Sequence, residues 1–346
     1  MRVLVIGGTN FIGPHVVRRL VAAGHDITVY HTGHHEADLP ERVRHVHDER
    51  ARIPVSGIVD EAKTPPPDVV LHMVPVGEKD ARVVMDAFRG IARRVVSISS
   101  MDVYRAYGVI HRREPGSPEP VPLSEDAPLR STWMYQARGE TPRAEDDPDR
   151  YMDDYEKILV EKVAMGDPHL PGTILRLPMV YGPNDGRLGG HIRRMVDRRP
   201  AILLKEGMAE FRSTWGYVEN VAAAITLAIA DERAEGRIYN VGEADPPTMA
   251  EWIRLLGRVA GWDGQVVVLP RERLPAHIAG EDTNLDQHWI TDTSRMRQEL
   301  GYKEPVPQEE ALKRTVEWYQ ENPPERLDPE EADYSAEDAA LAGLER

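Results

Sequence analysis

The chain is 346 residues long, 41% hydrophobic and 29% charged, a balance that supports one large or two modest globular domains with a sizeable core. Its formal net charge of −15 argues against nucleic acid or an anionic membrane surface as partner. Cysteine is absent, which excludes disulfides, thiol nucleophiles and thiolate metal sites and fits a cytoplasmic location.

The first predicted element is the most telling. Val3 to Ile6 form an unbroken apolar run, as in a strand buried on both faces of a parallel sheet, and the run passes straight into Gly7-Gly-Thr-Asn-Phe-Ile-Gly13 and a helix over 11–23. Gly7 and Gly8 permit a tight turn, Asn10 tolerates left-handed backbone angles, and Gly13 removes a side chain where the helix meets the strand. The N–H groups and positive dipole end at such a helix start hold a pyrophosphate, so Gly7, Gly8, Thr9, Asn10, Phe11, Ile12 and Gly13 are the candidate cofactor loop. The first strand stands where a cleavable leader would be, and the apolar segment 221–230 is too short to span a bilayer.

Strands follow at 26–30, 43–46, 68–73, 94–99 and 173–177, with helices at 78–89 and 154–165. This alternation predicts an α/β fold, a doubly wound parallel sheet of the Rossmann type that binds its ligand beyond the carboxyl ends of the strands. Between 105 and 150 proline, glycine and charge replace the pattern, which predicts a lid over the site or a partly disordered loop. Beyond Gly182 come a helix near 191–198, a strand at 201–204, a helix from Val218, a strand at 238–241 and helices at 249–259 and 308–320. The expected division is a dinucleotide-binding domain, 1–180 with a return segment 214–242, and a smaller mixed α/β substrate-binding domain, 181–213 with 243–322. Residues 323–346 read as a loosely ordered acidic tail.

Five later segments keep one order and spacing: Ser97-Ile-Ser-Ser-Met-Asp-Val-Tyr104, Tyr151-Met-Asp-Asp-Tyr-Glu-Lys-Ile-Leu-Val-Glu161, Arg176-Leu-Pro-Met-Val-Tyr-Gly-Pro183, Trp215-Gly-Tyr-Val-Glu-Asn-Val-Ala222 and Ile238-Tyr-Asn-Val-Gly242. Over residues 1–320 the chain resembles the extended short-chain dehydrogenase/reductase family of NAD(P)-dependent sugar-nucleotide epimerases and dehydratases. The resemblance implies an enzyme working by hydride transfer, with the protein supplying orientation and proton handling. It implies that Ser100 hydrogen-bonds the reacting oxygen, that Lys157 binds the nicotinamide ribose and tunes an acid–base group, and that Pro178 meets the cofactor.

The chain also departs from the family pattern. Asp153 stands where the family has a tyrosine, four residues before Lys157. An i, i+4 ion pair with Lys157 is its plain structural reading. On a continuous helix Tyr155 falls on the opposite face and Tyr151 well off it, so the proton-transfer group is left open among Asp153, a Tyr151 turned inward by an irregular helix start, Tyr104 and Tyr135. His31 replaces the acid that NAD-preferring members use for the ribose, which admits NADP or NAD with a lean to NADP. Asp48 resembles the residue that meets the adenine amino group, or is a turn aspartate. Met179 replaces a substrate-contacting asparagine and points to a less polar substrate, while Arg212 matches a phosphate-gripping arginine or is a surface charge. The histidines at 31, 34 and 35, without other placed ligands, imply no metal. The expected partners are a small-molecule substrate and a second copy of the chain, paired through the helices at 78–89 and 154–165. The alternatives are a cofactor-binding relative with no turnover or a regulatory role, and a reductase of a less polar carbonyl compound.

Overall fold

A computed structural model describes residues 1–323 and 334–344. Its strands are β1 (Arg2–Ile6), β2 (Asp26–His31), β3 (Arg44–His47), β4 (Val69–His72), β5 (Arg94–Ser100), β6 (Gly172–Leu177), β7 (Met179–Tyr181), β8 (Ala201–Lys205), β9 (Trp215–Tyr217), β10 (Ile238–Asn240) and β11 (Gln265–Leu269). Its helices are α1 (Ile12–Ala22), α2 (Glu78–Phe88), α3 (Arg105–Ile110), α4 (Met134–Arg138), α5 (Lys157–Met165), α6 (Gly189–Val196), α7 (Val218–Ala230), α8 (Met249–Ala260), α9 (Ala276–Ala279), α10 (Ser294–Leu300), α11 (Gln308–Glu321) and α12 (Ser335–Ala342).

Seven strands make one parallel sheet in the order β10-β6-β5-β4-β1-β2-β3. Side chains alternate across it. Val3 and Val5 pack with Val16, Val17 and Leu20 of α1 and Val221, Ile225 and Ala228 of α7, whereas Leu4 and Ile6 pack with Val84, Met85 and Phe88 of α2 and Ala164 of α5. Strand order reverses between β1 and β4, so the crevice beyond their carboxyl ends is where such a sheet takes its ligand. The α1/α7 core continues without a break into Ile192, Ile202, Trp252 and Leu312 of the C-terminal region, where β7 pairs with β9 and β8 with β11.

The expected elements recur within two residues of their predicted ends, except that the helix predicted from residue 154 begins at Lys157. The segment 105–150 carries α3 and α4 and is pinned by Glu114, whose carboxylate accepts from the Ser131 and Thr132 N–H groups at 2.7 and 2.9 Å. No described helix is long and apolar enough to cross a membrane.

Part of the tail is helical. Glu337 of α12 is 1% exposed at its side chain and pairs with Arg194 of α6, and the Arg199 guanidinium lies 4.5 Å from the Tyr334 ring. Expectations for residues 324–333 and 345–346 lie outside the described residues. A buried ion pair broken on one side costs about 3 kcal/mol, so Glu337→Ala is expected to raise limited proteolysis near the tail by about 100-fold while the unfolding midpoint of the core stays put. Unchanged cleavage would show that the pair does not hold the helix.

Candidate active site

The glycine-rich turn has the backbone that its sequence demands. Gly7 and Gly8 take φ of 87° and 90°, and a Cβ placed on Gly13 would stand 2.4 Å from the Gly8 backbone. Phe11 enters α1 at φ 44°, no side chain caps this helix, and Asn10 Oδ1 accepts from the Phe11 N–H at 2.9 Å. Gly7, Gly8, Thr9 and Asn10 open on a cleft of about 460 Å³ that His31, Met73 and Tyr151 also line. Phe11 and Ile12 pack instead against the core. A side-chain-free cradle at a helix start fits a dinucleotide pyrophosphate, so these residues fit NAD(P).

At the ends of β4 and β5 a second group assembles. Lys157 is buried, and its ammonium donates to the carbonyls of Pro75 and Ile98, the latter at 3.3 Å. Burial lowers its pKa to about 8. Ser100 closes β5 and accepts from the Asp102 N–H at 3.2 Å. The Tyr155 hydroxyl donates to Asp102 Oδ2 at 3.1 Å, and Lys157 Nζ lies 5.2 Å from the Tyr155 ring centroid. Asp102 Oδ1 is buried without a partner. Burial raises the Asp102 carboxyl; burial, then the Asp102 charge, hold the Tyr155 phenol well above its ordinary value, and a hydrogen bond with Ser100 opposes that rise.

Tyr155 is the residue that helical reasoning set aside, and the late start of α5 explains why it belongs here. Glu156 takes extended angles (φ −152°, ψ 96°) and caps α5 by accepting from the Ile158 N–H at 3.1 Å. Tyr155 and Lys157 therefore flank an extended residue, where side chains two apart share a face. Asp153 does not pair with Lys157: desolvation would raise its carboxyl, but the Arg143 N–H at 2.7 Å, then the Arg143 guanidinium at 2.7 Å and that of Arg150, bring it below its ordinary value. Tyr151 lines the cofactor cleft, and Tyr135 shares a separate groove with Asp153. Tyr104 is spent in the interior, donating to Asn240 Oδ1 at 2.6 Å and accepting from Arg176 at 2.9 Å, with its phenol raised to about 12, chiefly by burial.

Residues 3–242, more than half of the chain, match the model of the NAD dependent epimerase/dehydratase family. The chain belongs to that family. It is 25% identical to a UDP-N-acetyl-alpha-D-glucosaminuronate decarboxylase of Bacillus cytotoxicus over 92% of this chain and 98% of that one. It is 27% identical to a 2'-dehydrokanamycin reductase of Streptomyces kanamyceticus over 86% and 76% of the two chains. The crystal structure of UDP-glucose 4-epimerase from Thermotoga maritima with UDP-glucose superposes with a TM-score of 0.64 at 20% identity, covering 93% of this chain and 99% of that one. The protein is thus an enzyme of the epimerase/dehydratase family on the family's Rossmann fold, and the family is NAD-dependent.

The other positions that the resemblance singles out have defined neighbours in this epimerase/dehydratase chain. The Asp48 carboxylate is occupied by the Arg50 N–H and side chain, both at 2.8 Å, and is lowered to about 2 by them, while Ala51, Arg52 and Ile53 line the cleft beside it. Pro178 is buried against Gly216 and Gly242. Arg212 is bound to Asp245 at 2.7 Å and to the Pro246 carbonyl at 2.8 Å. Met179 lines a cavity of about 410 Å³ whose walls include Met208, Phe211, Trp215, Met249 and Trp289. Trp289 shares an apolar cluster with Tyr107, Met134 and Tyr155, so this cavity adjoins the Asp102–Tyr155 pair. Its walls come from well-separated segments of the chain, which no local pattern connects.

Proposed function

We propose that this enzyme interconverts a carbonyl and an alcohol on a small substrate with an apolar, ring-bearing body, using Tyr155, Asp102, Ser100 and Lys157. The observation that carries the reading is the apolar wall of Met179, Phe211 and Trp289, which packs with Tyr107 against the cluster that Tyr155 also joins. A sugar diphosphate needs cations, yet Arg212 is committed to Asp245, Arg187 pairs with Asp185 at 2.6 Å, and His191, lowered to about 4 chiefly by burial, stays neutral. Among the relatives, reductase names and a sugar-nucleotide decarboxylase name support the family chemistry without fixing the substrate.

The chemistry that bound NAD(P) supplies is the gain or loss of a hydride. The chain supplies the rest. Ser100 and the Tyr155 hydroxyl converge on the reacting oxygen, and Lys157, cationic below about pH 8, steadies negative charge that develops there. With Asp102 protonated, Tyr155 donates its proton to a nascent alkoxide and is refilled from Asp102; with Asp102 ionised, the same pair accepts a proton from a substrate alcohol. Reduction is therefore expected to fall, and oxidation to rise, as pH climbs through the raised Asp102 value, and pH–rate profiles in both directions check this. Parallel profiles in the two directions would remove Asp102 from the relay.

His31 at the end of β2 presents no acid to a 2′-phosphate, which supports NADP over NAD. The same reading includes pairing of two copies through α2 and α5, whose outer groove holds Met85, Leu159 and Val163. The deciding experiment titrates the purified chain with both coenzymes in both redox states, then assays aromatic ketones against nucleotide sugars. Coenzyme binding with ketone turnover is the expected result; turnover of nucleotide sugars alone overturns the substrate class, and binding without turnover supports a non-catalytic relative.

A further inference from the structure

The parallel register of β2 and β3 sets His31 opposite His47, and His45, two residues earlier on β3, shares that face. Val46 and Tyr30 point to the other, apolar side. The segment after β2 then returns Glu36 to the same place. His31 Nε2 lies 2.9 Å from His45 Nδ1, Glu36 Oε1 lies 3.1 Å from His47 Nε2, and Glu36 Oε2 lies 3.7 Å from His45 Nδ1. One ligand atom from each of the four stands within 4.8 Å of all the others.

We propose that His31, His45, His47 and Glu36 bind one divalent transition-metal ion of the zinc type beside the cofactor cleft. Metal–nitrogen bonds of about 2.0–2.1 Å in a tetrahedron put ligand atoms roughly 3.3 Å apart; the two nearest pairs here stand at 2.9 and 3.1 Å, and the whole set within 4.8 Å closes onto an ion by side-chain adjustment. Imidazole with one carboxylate suits zinc, cobalt and nickel rather than the oxygen-loving magnesium or calcium. Without an ion the Gly33 N–H donates to His31 Nδ1 at 3.3 Å, which leaves the ring proton on Nε2, facing His45. Loading puts the ion on Nε2 and the proton on Nδ1, and the 3.3 Å contact from the Gly33 N–H is given up. Three neutral imidazoles and one carboxylate leave a net charge of +1 on the loaded site. Half-exposed His47 and Glu36 keep it in contact with water.

The inference is independent of the hydride reading, because coordination is measured without turnover. Tag-free, chelator-stripped full chain is titrated with Co²⁺ and followed by its visible absorption, then with Zn²⁺ by calorimetry. One ion per chain with a tetrahedral cobalt spectrum, displaced by zinc, is expected. His47→Ala and Glu36→Gln, at half-exposed positions, should each weaken binding by more than about tenfold, whereas His34→Ala, outside the ligand set, should not. Absence of stoichiometric binding, or equal binding by the His47→Ala chain with unchanged circular dichroism, overturns the site.

Discussion

Tyr155→Phe is expected to lower turnover by about 10²–10⁴-fold, the range for loss of a positioned proton-transfer group, while coenzyme affinity stays within about twofold of the parent. The substitution keeps the ring in its cluster with Tyr107 and Trp289 and removes only the hydroxyl that reaches Asp102. Fold and cavity are thereby preserved, and the loss reports on the proton alone. Asp153→Asn provides the contrast. Its carboxylate is tied to Arg143 and Arg150, away from Lys157, so turnover should hold near the parent value. Tyr151→Phe should act on coenzyme KM, because that ring lines the cleft with Gly8 and Thr9. The reverse pattern, with Asp153→Asn inactive and Tyr155→Phe active, would return the proton to the position that helical spacing favours.

The cofactor turn was legible in the sequence because its requirements are local: left-handed glycines, a missing Cβ at Gly13 and an apolar strand all lie within residues 2–13. Ser100 and Lys157 were implied by the resemblance of their segments to the family's, and they stand at the end of β5 and the start of α5. Tyr155 was not legible, because the periodicity of 154–165 is helical on paper and the start of α5 is decided by contacts that periodicity does not contain. His31 shows the same limit: its meeting with His45 and His47 depends on the pairing of β2 with β3. Arg212 and Asp48 are implied by the resemblance, and their ion-pair partners Asp245 and Arg50 are seen only in the structure. In each of these cases a neighbour that the local pattern does not name sets the surroundings of the side chain.

The contact that starts α5 is the Glu156–Arg130 pair, and Glu156→Ala is the second large effect expected. Both side chains are buried, at 4% and 0% exposure, and the carboxylate receives Arg130 at 2.8 Å, the Met134 N–H at 3.0 Å and the Ile158 N–H at 3.1 Å. Removing it leaves a guanidinium uncompensated in the interior, at a cost of about 3–5 kcal/mol, to which the lost helix cap adds about 1 kcal/mol. Denaturant midpoints should register that loss directly. A second consequence follows from position: without the cap, residues 154–156 are free to join α5, which would rotate Tyr155 away from Lys157. Repacking separates the two effects. The double variant Arg130→Met with Glu156→Leu removes both charges and should regain much of the stability, since apolar replacement of a buried pair is often neutral or better. It restores no acceptor for the Ile158 N–H, so kcat should stay depressed while coenzyme binding returns. Recovery of kcat together with stability would mean that Glu156 only holds the fold and that the extended geometry of Tyr155 has another cause.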